Sequence, residues 1–412
     1  MKEYDTIIIG AGPAGLMCSA CIDSGINTVI LEKMPDAGRK LSISGSGQCN
    51  LTHNGDVQSF LKAYGQNGRF LKKALYNFPN SAVSDFFTKK GVALIEREDG
   101  KIFPASMRSA DVIEALKKEI ALKGHRIFTA SPVLSVSHSE PDGPFEVTTR
   151  DETFISKTVV ISTGGRSYPS TGSSGDGYRF AASLGHSISE LSPALVPLTV
   201  KNWKMAELSG ISFKNAVISM KKGTSKISRQ GELLITHKGL SGPLVLDISR
   251  YLEMKDSVTV NFHGELNTEK AMEQISDIFS ASPGAKASNT LYRIGIPQNF
   301  STALIELAEI ELSTLCGSVS KKQIRSISEL LCMNMMEVMK GPFEAAMATS
   351  GGIELDEVDR STMGSKIVKG LYFCGEVLDI DGDTGGYNIQ AAFSTAYTAA
   401  DDINRKFKEG SN

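Results

Sequence analysis

Short β-branched runs alternate along the chain with small-residue or amphipathic stretches. Thr6 to Ile9 form one such run and Thr28 to Leu31 another, with small residues prominent from Pro13 to Ser24 between them. The pattern predicts strand, helix, strand. Pro13 suits a first helical turn, where its missing N–H is not needed, and Gly25 suits a left-handed stop. Further on, Ser109 is a candidate N-cap for a helix whose apolar positions Val112, Ile113, Leu116 and Ile120 recur until Gly124. Three β-rich pieces follow, Val133–Val136, Phe145–Thr149 and Phe154–Ser162, and the turn signal Asp142–Gly143 between the first two predicts a meander.

From about Leu195 to Phe262 the chain reads as short strands with turn signals such as Lys222–Gly223, and from Thr268 to Lys340 it reads as mostly helical. A buried-strand run returns at Leu371–Cys374, followed by a glycine-rich turn and a last helix from about Tyr387 to Asp402. A chain of 412 residues exceeds one ordinary core. The predicted division is a discontinuous α/β domain over 1–190 and 346–412, with an inserted domain over 191–345. The insert is β-rich over 191–265 and mainly helical over 266–345.

Composition narrows the function classes. No stretch approaches the roughly 18 apolar residues of a membrane helix, and Met1–Asp5 runs straight into a strand without the regions of a signal peptide. The six cysteines are scattered. A cytoplasmic protein without membrane contact is expected. The formal net charge of −2 gives no footprint for a phosphate polymer, so a small-molecule substrate and no nucleic acid are expected, although a whole-chain balance can hide a local patch.

The strongest chemical signal is Gly10-Ala11-Gly12-Pro13-Ala14-Gly15, placed between the first strand and first helix. In this GxGxxG pattern the first glycine permits the turn and the second lets backbone approach a pyrophosphate. The third lets helix and strand pack closely, and the helix N-terminus then faces the anion. Glu32, at the end of the second strand, can accept hydrogen bonds from ribose hydroxyls; Lys33 follows it. These residues leave FAD and NAD open. Two later segments favour FAD, which spans more chain. One is Gly38 to Asn50, with Arg39, Lys40, Ser44, Gly45, Cys49 and Asn50. The other is Gly375 to Asn388, with Gly375, Glu376, Asp381, Gly386, Tyr387 and Asn388.

With these blocks the chain resembles the bacterial BaiN-like flavoproteins, which include aminoacetone oxidases, bile acid ring reductases and NAD(P)/FAD-dependent oxidoreductases. The likeness also rests on Ser162–Gly165 with Tyr168, Pro169, Gly175, Asp176 and Gly177, and on Thr236–Pro243 in the insert. At one position the chain departs: Gln48 stands where the family pattern has an arginine before the Cys–Asn pair. The resemblance implies a glutathione-reductase-like FAD-binding (Rossmann) domain built from both chain ends. It also implies that Glu32 holds the adenosine ribose, that Val133 meets the adenine, and that Thr163, Gly164 and Gly165 back the pyrophosphate. Glu376 would bind the ribitol, and Gly386, Tyr387, Asn388 and Ile389 would lie along the pyrimidine edge of the flavin.

In such an enzyme the cofactor carries the redox chemistry and the protein positions and tunes it. Tyr168, His237 and Tyr387 are candidate proton donors. Cys18 and Cys21 are spaced CxxC, but on a packed helix they read as small buried hydrophobes. Cys49 reads as a backbone feature more readily than as a reactive thiol. Ser241 lacks the setting of a hydrolase nucleophile, the histidines lack metal-ligand spacing, and Lys221–Lys222 and Lys321–Lys322 read as solvated surface. Three functions stay open: a reductase with NADH or NADPH as co-substrate and an unsaturated ketone or similar acceptor, an oxygen-using oxidase of a small amine or amino ketone, and a flavin-binding sensor or interaction module. No second GxGxxG follows a later strand, so any pyridine nucleotide docks at the substrate cleft.

Overall fold

The computed structural model describes residues 1–138 and 143–410. They form two compact units, Met1–Pro193 with Ala346–Asn412, and Ala194–Ala345. The first unit begins with β1 (Lys2–Ile9), α1 (Pro13–Cys21), β2 (Thr28–Leu31), α2 (Arg39–Ser42) and β3 (Thr52–His53). It continues with α3 (Val57–Ala63), α4 (Gly68–Asn77), α5 (Asn80–Lys89), β4 (Leu94–Glu96), β5 (Lys101–Pro104) and α6 (Ser109–Leu122). Then come β6 (Arg126–Phe128), β7 (Val133–His138), β8 (Phe145–Thr149), β9 (Thr153–Ile161), α7 (Asp176–Ser183) and β10 (Ser192–Ala194), whose last residue already belongs to the second unit.

The second unit holds β11 (Leu198–Val200), β12 (Ser212–Lys222), β13 (Ser225–Thr236), β14 (Gly239–Ser241), α8 (Pro243–Ser249) and β15 (Lys255–Asn261). It ends with α9 (Thr268–Ser280), α10 (Gln298–Leu307), α11 (Lys321–Cys332) and β16 (Asn334–Lys340). The chain then returns to the first unit through β17 (Ala348–Ser350), β18 (Leu371–Phe373) and α12 (Tyr387–Gly410).

The main sheet runs β6-β2-β1-β9-β8-β7, with β18 also on β9. Strand β9 is long enough to serve two neighbours along one edge. Its first half pairs antiparallel with β8 and its second half parallel with β18, at Leu371↔Val159 to Phe373↔Ile161. The other edge pairs in parallel with β1 along its length. The parallel strands are therefore buried on both faces, which explains their unbroken apolar runs: Ile7, Ile8, Val29, Ile30, Val159, Val160 and Phe373 are all fully buried. In open parallel sheets, ligands bind beyond the carboxyl ends of the strands. The loops after β1, β2, β9 and β18 meet there, and they carry the glycine motif, Glu32, Thr163–Gly165 and Gly375–Glu376.

In the second unit six strands close a barrel in the order β11-β14-β13-β12-β15-β16. Its core is separate from that of the first unit; Phe213, Phe262 and Phe300 pack ring to ring at centroid distances of 4.8 to 5.1 Å. The helical reading of Thr268 to Lys340 needs correction at its end, where β16 is a strand. Its burial alternates from residue to residue, and it closes the barrel against β15 and β11.

Other expectations also change. Helix α1 stops at Cys21, with the Ile22 N–H donating to the Cys18 carbonyl, and Gly25 is not in the left-handed region. Ser109 is the first helical residue of α6 and not its cap; its hydroxyl donates to the Ser42 carbonyl, tying α6 to α2. The last helix runs to Gly410. Of the turn signal between β7 and β8, Asp142 lies outside the described residues.

Candidate active site

The glycine loop has the geometry its spacing requires. Gly10 sits at φ +99°, where a side chain is strained, and a Cβ there would stand 2.8 Å from the Ser162 carbonyl oxygen. A Cβ on Gly15 would stand 1.9 Å from the Gly10 carbonyl oxygen, so α1 crosses β1 at a distance only glycine allows. At Gly12 a Cβ would meet nothing within 4 Å: the backbone is open on its ligand-facing side. Gly12 caps α1 without a side-chain hydrogen bond, so the first N–H groups of the helix remain available to an anion. Pro13 occupies the first turn, and Ala14 packs beneath Gly375.

Glu32 is buried, and both its oxygens are engaged. Oε2 accepts the Ala11 N–H at 2.7 Å and Oε1 the Met34 N–H at 2.8 Å. The carboxylate thus fixes the glycine loop to the exit of β2 and keeps lone pairs for a second partner on each oxygen. The loop entering β7 passes beside it: the Ser131 N–H donates to the Glu32 carbonyl and the Ala130 N–H to that of Met34. This brings the chain leading to the buried Val133 alongside Glu32.

Three cations precede or enter the Gly38 to Asn50 loop, and two are engaged. Lys33 pairs with Asp176 at 2.6 Å and also donates to Ser174. Burial opposes ionisation of Asp176, but Lys33 outweighs it and the carboxyl sits below its usual range. Lys40 donates to Glu376 at 2.6 Å and to the Ser167 hydroxyl at 2.5 Å. Glu376 in turn accepts from Ser167 and from the Thr349 N–H, each at 2.8 Å. This hub joins α2, the loop after β9 and the end of β18. The Arg39 guanidinium has no hydrogen bond or ion pair among the described residues.

Within the loop Gly45, Ser46 and Cys49 are all left-handed. Ser44 closes it, its carbonyl accepting the Cys49 N–H. The Asn50 Oδ1 is buried without a hydrogen-bond partner, which is costly unless a ligand donor meets it. An open glycine backbone, an uncapped helix N-terminus, an unengaged guanidinium and an orphaned acceptor together fit a dinucleotide cofactor. The Gln48 position is supplied with charge from elsewhere: Arg97 donates to Gln48 Oε1 at 2.7 Å and lies over the Phe103 ring.

At the far end Gly385 and Gly386 are left-handed and lead into α12. A Cβ on Gly386 would stand 2.7 Å from the Thr52 carbonyl, so this glycine is required by β3 packing and does not mark open space for a ring. The Asn388 amide is occupied by Gly382, accepting its N–H and donating to its carbonyl. These two bonds fix the orientation of the amide and leave one Nδ2 hydrogen and one Oδ1 lone pair for a ligand. Ile389 is half-buried against the core, and Asp381 is almost fully buried. Tyr387 is clamped. His53 stacks on its ring at 5.2 Å, Phe60 meets it edge-on at 5.1 Å, and the Tyr64 hydroxyl donates to its carbonyl at 2.8 Å.

The remaining candidates separate. Tyr168 is half-buried beside Ser167 at φ +50°. His237 is exposed on the turn between β13 and β14 in the barrel unit. Cys18 faces Cys374, and their hydrogen bond together with burial pushes the Cys18 thiol up; burial pushes Cys21 and Cys49 each up to about 12. None is a thiolate near neutral pH. Sequence reasoning missed His53, Thr52, Tyr64, Arg97, Ser167 and Thr349. Only Ser167 lay inside a block already singled out.

A parallel sheet with a glycine loop, a buried carboxylate at the exit of β2 and a second half returned from the C-terminus defines a Rossmann-type, FAD-dependent oxidoreductase. Residues 4–402 match the model described as HI0933-like protein Rossmann domain, and the chain belongs to that family. It is 33% identical to a ribosomal RNA dihydrouridine synthase of Escherichia coli (strain K12), over 98% of both chains. It is 29% identical to a 3-dehydro-bile acid delta(4,6)-reductase of Clostridium scindens, over 95% of this chain and 97% of that one. Among solved structures, a 3-ketosteroid delta1-dehydrogenase of Sterolibacterium denitrificans shares the fold at TM-score 0.53 and 12% identity, covering 98% of this chain and 100% of that one. A flavocytochrome c3 fumarate reductase does so at TM-score 0.51 and 16% identity, covering 98% and 78%. The expectation of no nucleic-acid partner, drawn from net charge, finds no support in relatives so named. No helix among the described residues is long and apolar enough to cross a membrane.

Proposed function

We propose that the protein is a reductase that takes hydride from NADH or NADPH and delivers it to a carbon–carbon double bond conjugated to a carbonyl. The preferred acceptor is the uracil ring of ribosomal RNA. One observation carries this reading: relatives spanning nearly the whole chain bear two names that denote one reaction type. Forming dihydrouridine saturates the C5–C6 bond of uracil, conjugated to its C4 carbonyl. A delta(4,6)-reductase of a 3-dehydro bile acid saturates a bond conjugated to the 3-oxo group. The uracil reading is preferred because two relatives carry that name, at 33% and 31% identity.

FAD, when bound, supplies the hydride relay. Glu32, the Gly12 backbone, Arg39 and the α1 N-terminus hold its anionic and ribose portions. The Lys40–Glu376–Ser167 hub fixes the middle of the cradle, and the residues before α12 take the ring end. Saturation also needs one proton. Of the three candidate donors Tyr387 is best placed, because His53 and Phe60 hold its ring at the start of α12. The barrel unit acts as substrate domain. Six free cysteines suit a reducing cytoplasm.

Anaerobic stopped-flow mixing with NADH, NADPH and candidate amines, then with deproteinised ribosomal RNA, a steroid dienone or oxygen, tests this. The expected result is bleaching by a pyridine nucleotide and reoxidation by RNA that gains dihydrouridine. Bleaching by amines alone with rapid reoxidation by oxygen would establish an oxidase instead.

A further inference from the structure

The β12–β13 hairpin carries a charge pattern that folding does not explain. Between Leu208 and Gly231 stand Lys214, Lys221, Lys222, Lys226 and Arg229 and no carboxylate, in a chain whose 44 basic and 46 acidic residues otherwise nearly balance; Arg229 is taken up by Tyr251, to whose hydroxyl it donates at 2.9 Å, and Glu232 lies further along β13. Lys214, Lys221, Lys222 and Lys226 are exposed, and none has an ion-pair partner among the described residues. Their arrangement is specific. The register sets Lys221 directly opposite Lys226, and Lys222 opposite Ser225. Like charges facing across a strand pair destabilise it, and nothing in the barrel offsets the repulsion.

Inward positions Ile218 and Met220 are buried, so Lys221 and Lys226 share the outer face with the cross-strand pair Ser219–Ser228 and with Gln230. Ammonium, hydroxyl and amide groups on one strand face are the donor types that contact phosphate and sugar. The hairpin exposes no large apolar side chain between residues 208 and 231, and so lacks what a membrane-inserting tip requires.

We propose that the end of this hairpin, with the Lys221–Lys226 pair on its outer face and Lys222 beside the turn on the other, docks the phosphate backbone of structured RNA. The proposal rests on the reading of RNA uracil as substrate and adds where the polymer is held. Phosphate contacts position a substrate without reading its sequence, so the hairpin contributes affinity and leaves base selection to the reaction site.

The test uses the full-length holoenzyme, its K221E/K222E/K226E variant and the milder K221Q/K222Q/K226Q variant. Binding to deproteinised ribosomal RNA is followed by anisotropy over a salt series, and binding to vesicles of phosphatidylglycerol and phosphatidylcholine is measured in parallel. The charge-reversed variant is expected to bind RNA at least about tenfold more weakly, with a log–log salt slope shallower by about three. The glutamine variant should fall between. FAD content and the rate of flavin reduction by pyridine nucleotide should match the parent protein, which guards against misfolding. Parent-like RNA binding by both variants would overturn the proposal while leaving RNA as substrate intact, provided dihydrouridine still forms. A parent protein that neither binds nor modifies RNA but reduces a steroid dienone would overturn the substrate reading and this proposal together. Hairpin-dependent binding to vesicles without binding to RNA would assign the face to a lipid surface and overturn it too.

Discussion

Individual side chains at this site do structural and ligand-facing work at once, and Glu32 is the clearest case. Its two oxygens hold the N–H groups of Ala11 and Met34, so Glu32→Ala removes the acceptors proposed for the ribose and leaves two buried donors unmet. The loss is about 1.5 to 3 kcal/mol for charge-assisted bonds, or roughly ten- to 150-fold in FAD affinity. Glu32→Gln keeps one acceptor and should fall between. Titration of apoprotein with FAD measures this, and unchanged affinity in a folded alanine variant would remove Glu32 from the adenosine end. A second buried group governs pH response. The Ser365 hydroxyl accepts the N–H groups of Ile367 and Val368 and so donates its proton to His186 Nε2, which leaves Nδ1–H for Glu357. Burial lowers the His186 pKa below its ordinary value despite Glu357. The unfolded chain then binds a proton that the fold refuses, so stability is complete above about pH 6.5 and is lost as pH falls below it. The melting temperature should drop on acidification through that range, and less steeply in His186→Gln; an equal slope in both proteins would place the sensitivity elsewhere, His125 being the next candidate.

Elements were legible where period and punctuation agreed. Strands β1, β2, β8 and β18 and the start of α1 follow from β-branched runs and from glycine and proline. Helix ends were not, because tertiary partners decide them: Ser109 gives its hydroxyl to the Ser42 carbonyl instead of capping α6. Strand β16 was hidden in a methionine-rich stretch whose alternation becomes meaningful only when a barrel needs closing. The candidate site divides in the same way. Its local half, the glycine loop and Glu32, could be read from spacing. The Lys40–Glu376 pair joins residues 336 positions apart, and Arg97 reaches Gln48 from 49 positions away. Neither contact has a local signature. Gly386 illustrates a right residue with a different reason: it is glycine because β3 passes within van der Waals distance, so a bulky substitution there would displace β3 before it altered any ligand contact.

At the scale of the whole molecule, the chain keeps two hydrophobic cores with no shared residue, one drawn from both ends of the sequence and one from the middle. The FAD cradle proposed above lies wholly in the first. Its parts come from β1, β2, β9, β18 and the segment before α12, and α12 is fastened to that unit by its own bonds: the Gly375 N–H donates to Thr395, Gln390 and Ser394 donate to the Phe78 carbonyl, and Asn404 donates to the Cys21 carbonyl. Tyr372 on β18 donates to the buried Asp402, which Lys406 also pairs. The points where the chain leaves and re-enters are bracketed by β10 and β17, which pair with each other, so a short link can replace what lies between. Excising residues 194–345 and joining Pro193 to Ala346 through a short glycine–serine linker should therefore yield a yellow protein with about one FAD per chain. That protein should have lost affinity for RNA, because the hairpin bearing Lys221 and Lys226 leaves with the insert. Flavin content by absorbance and cooperative melting by circular dichroism are the measurements. A cooperatively folded excision product that binds no FAD would show that the barrel unit supplies part of the cofactor site, and the cradle would have to be redrawn across both units.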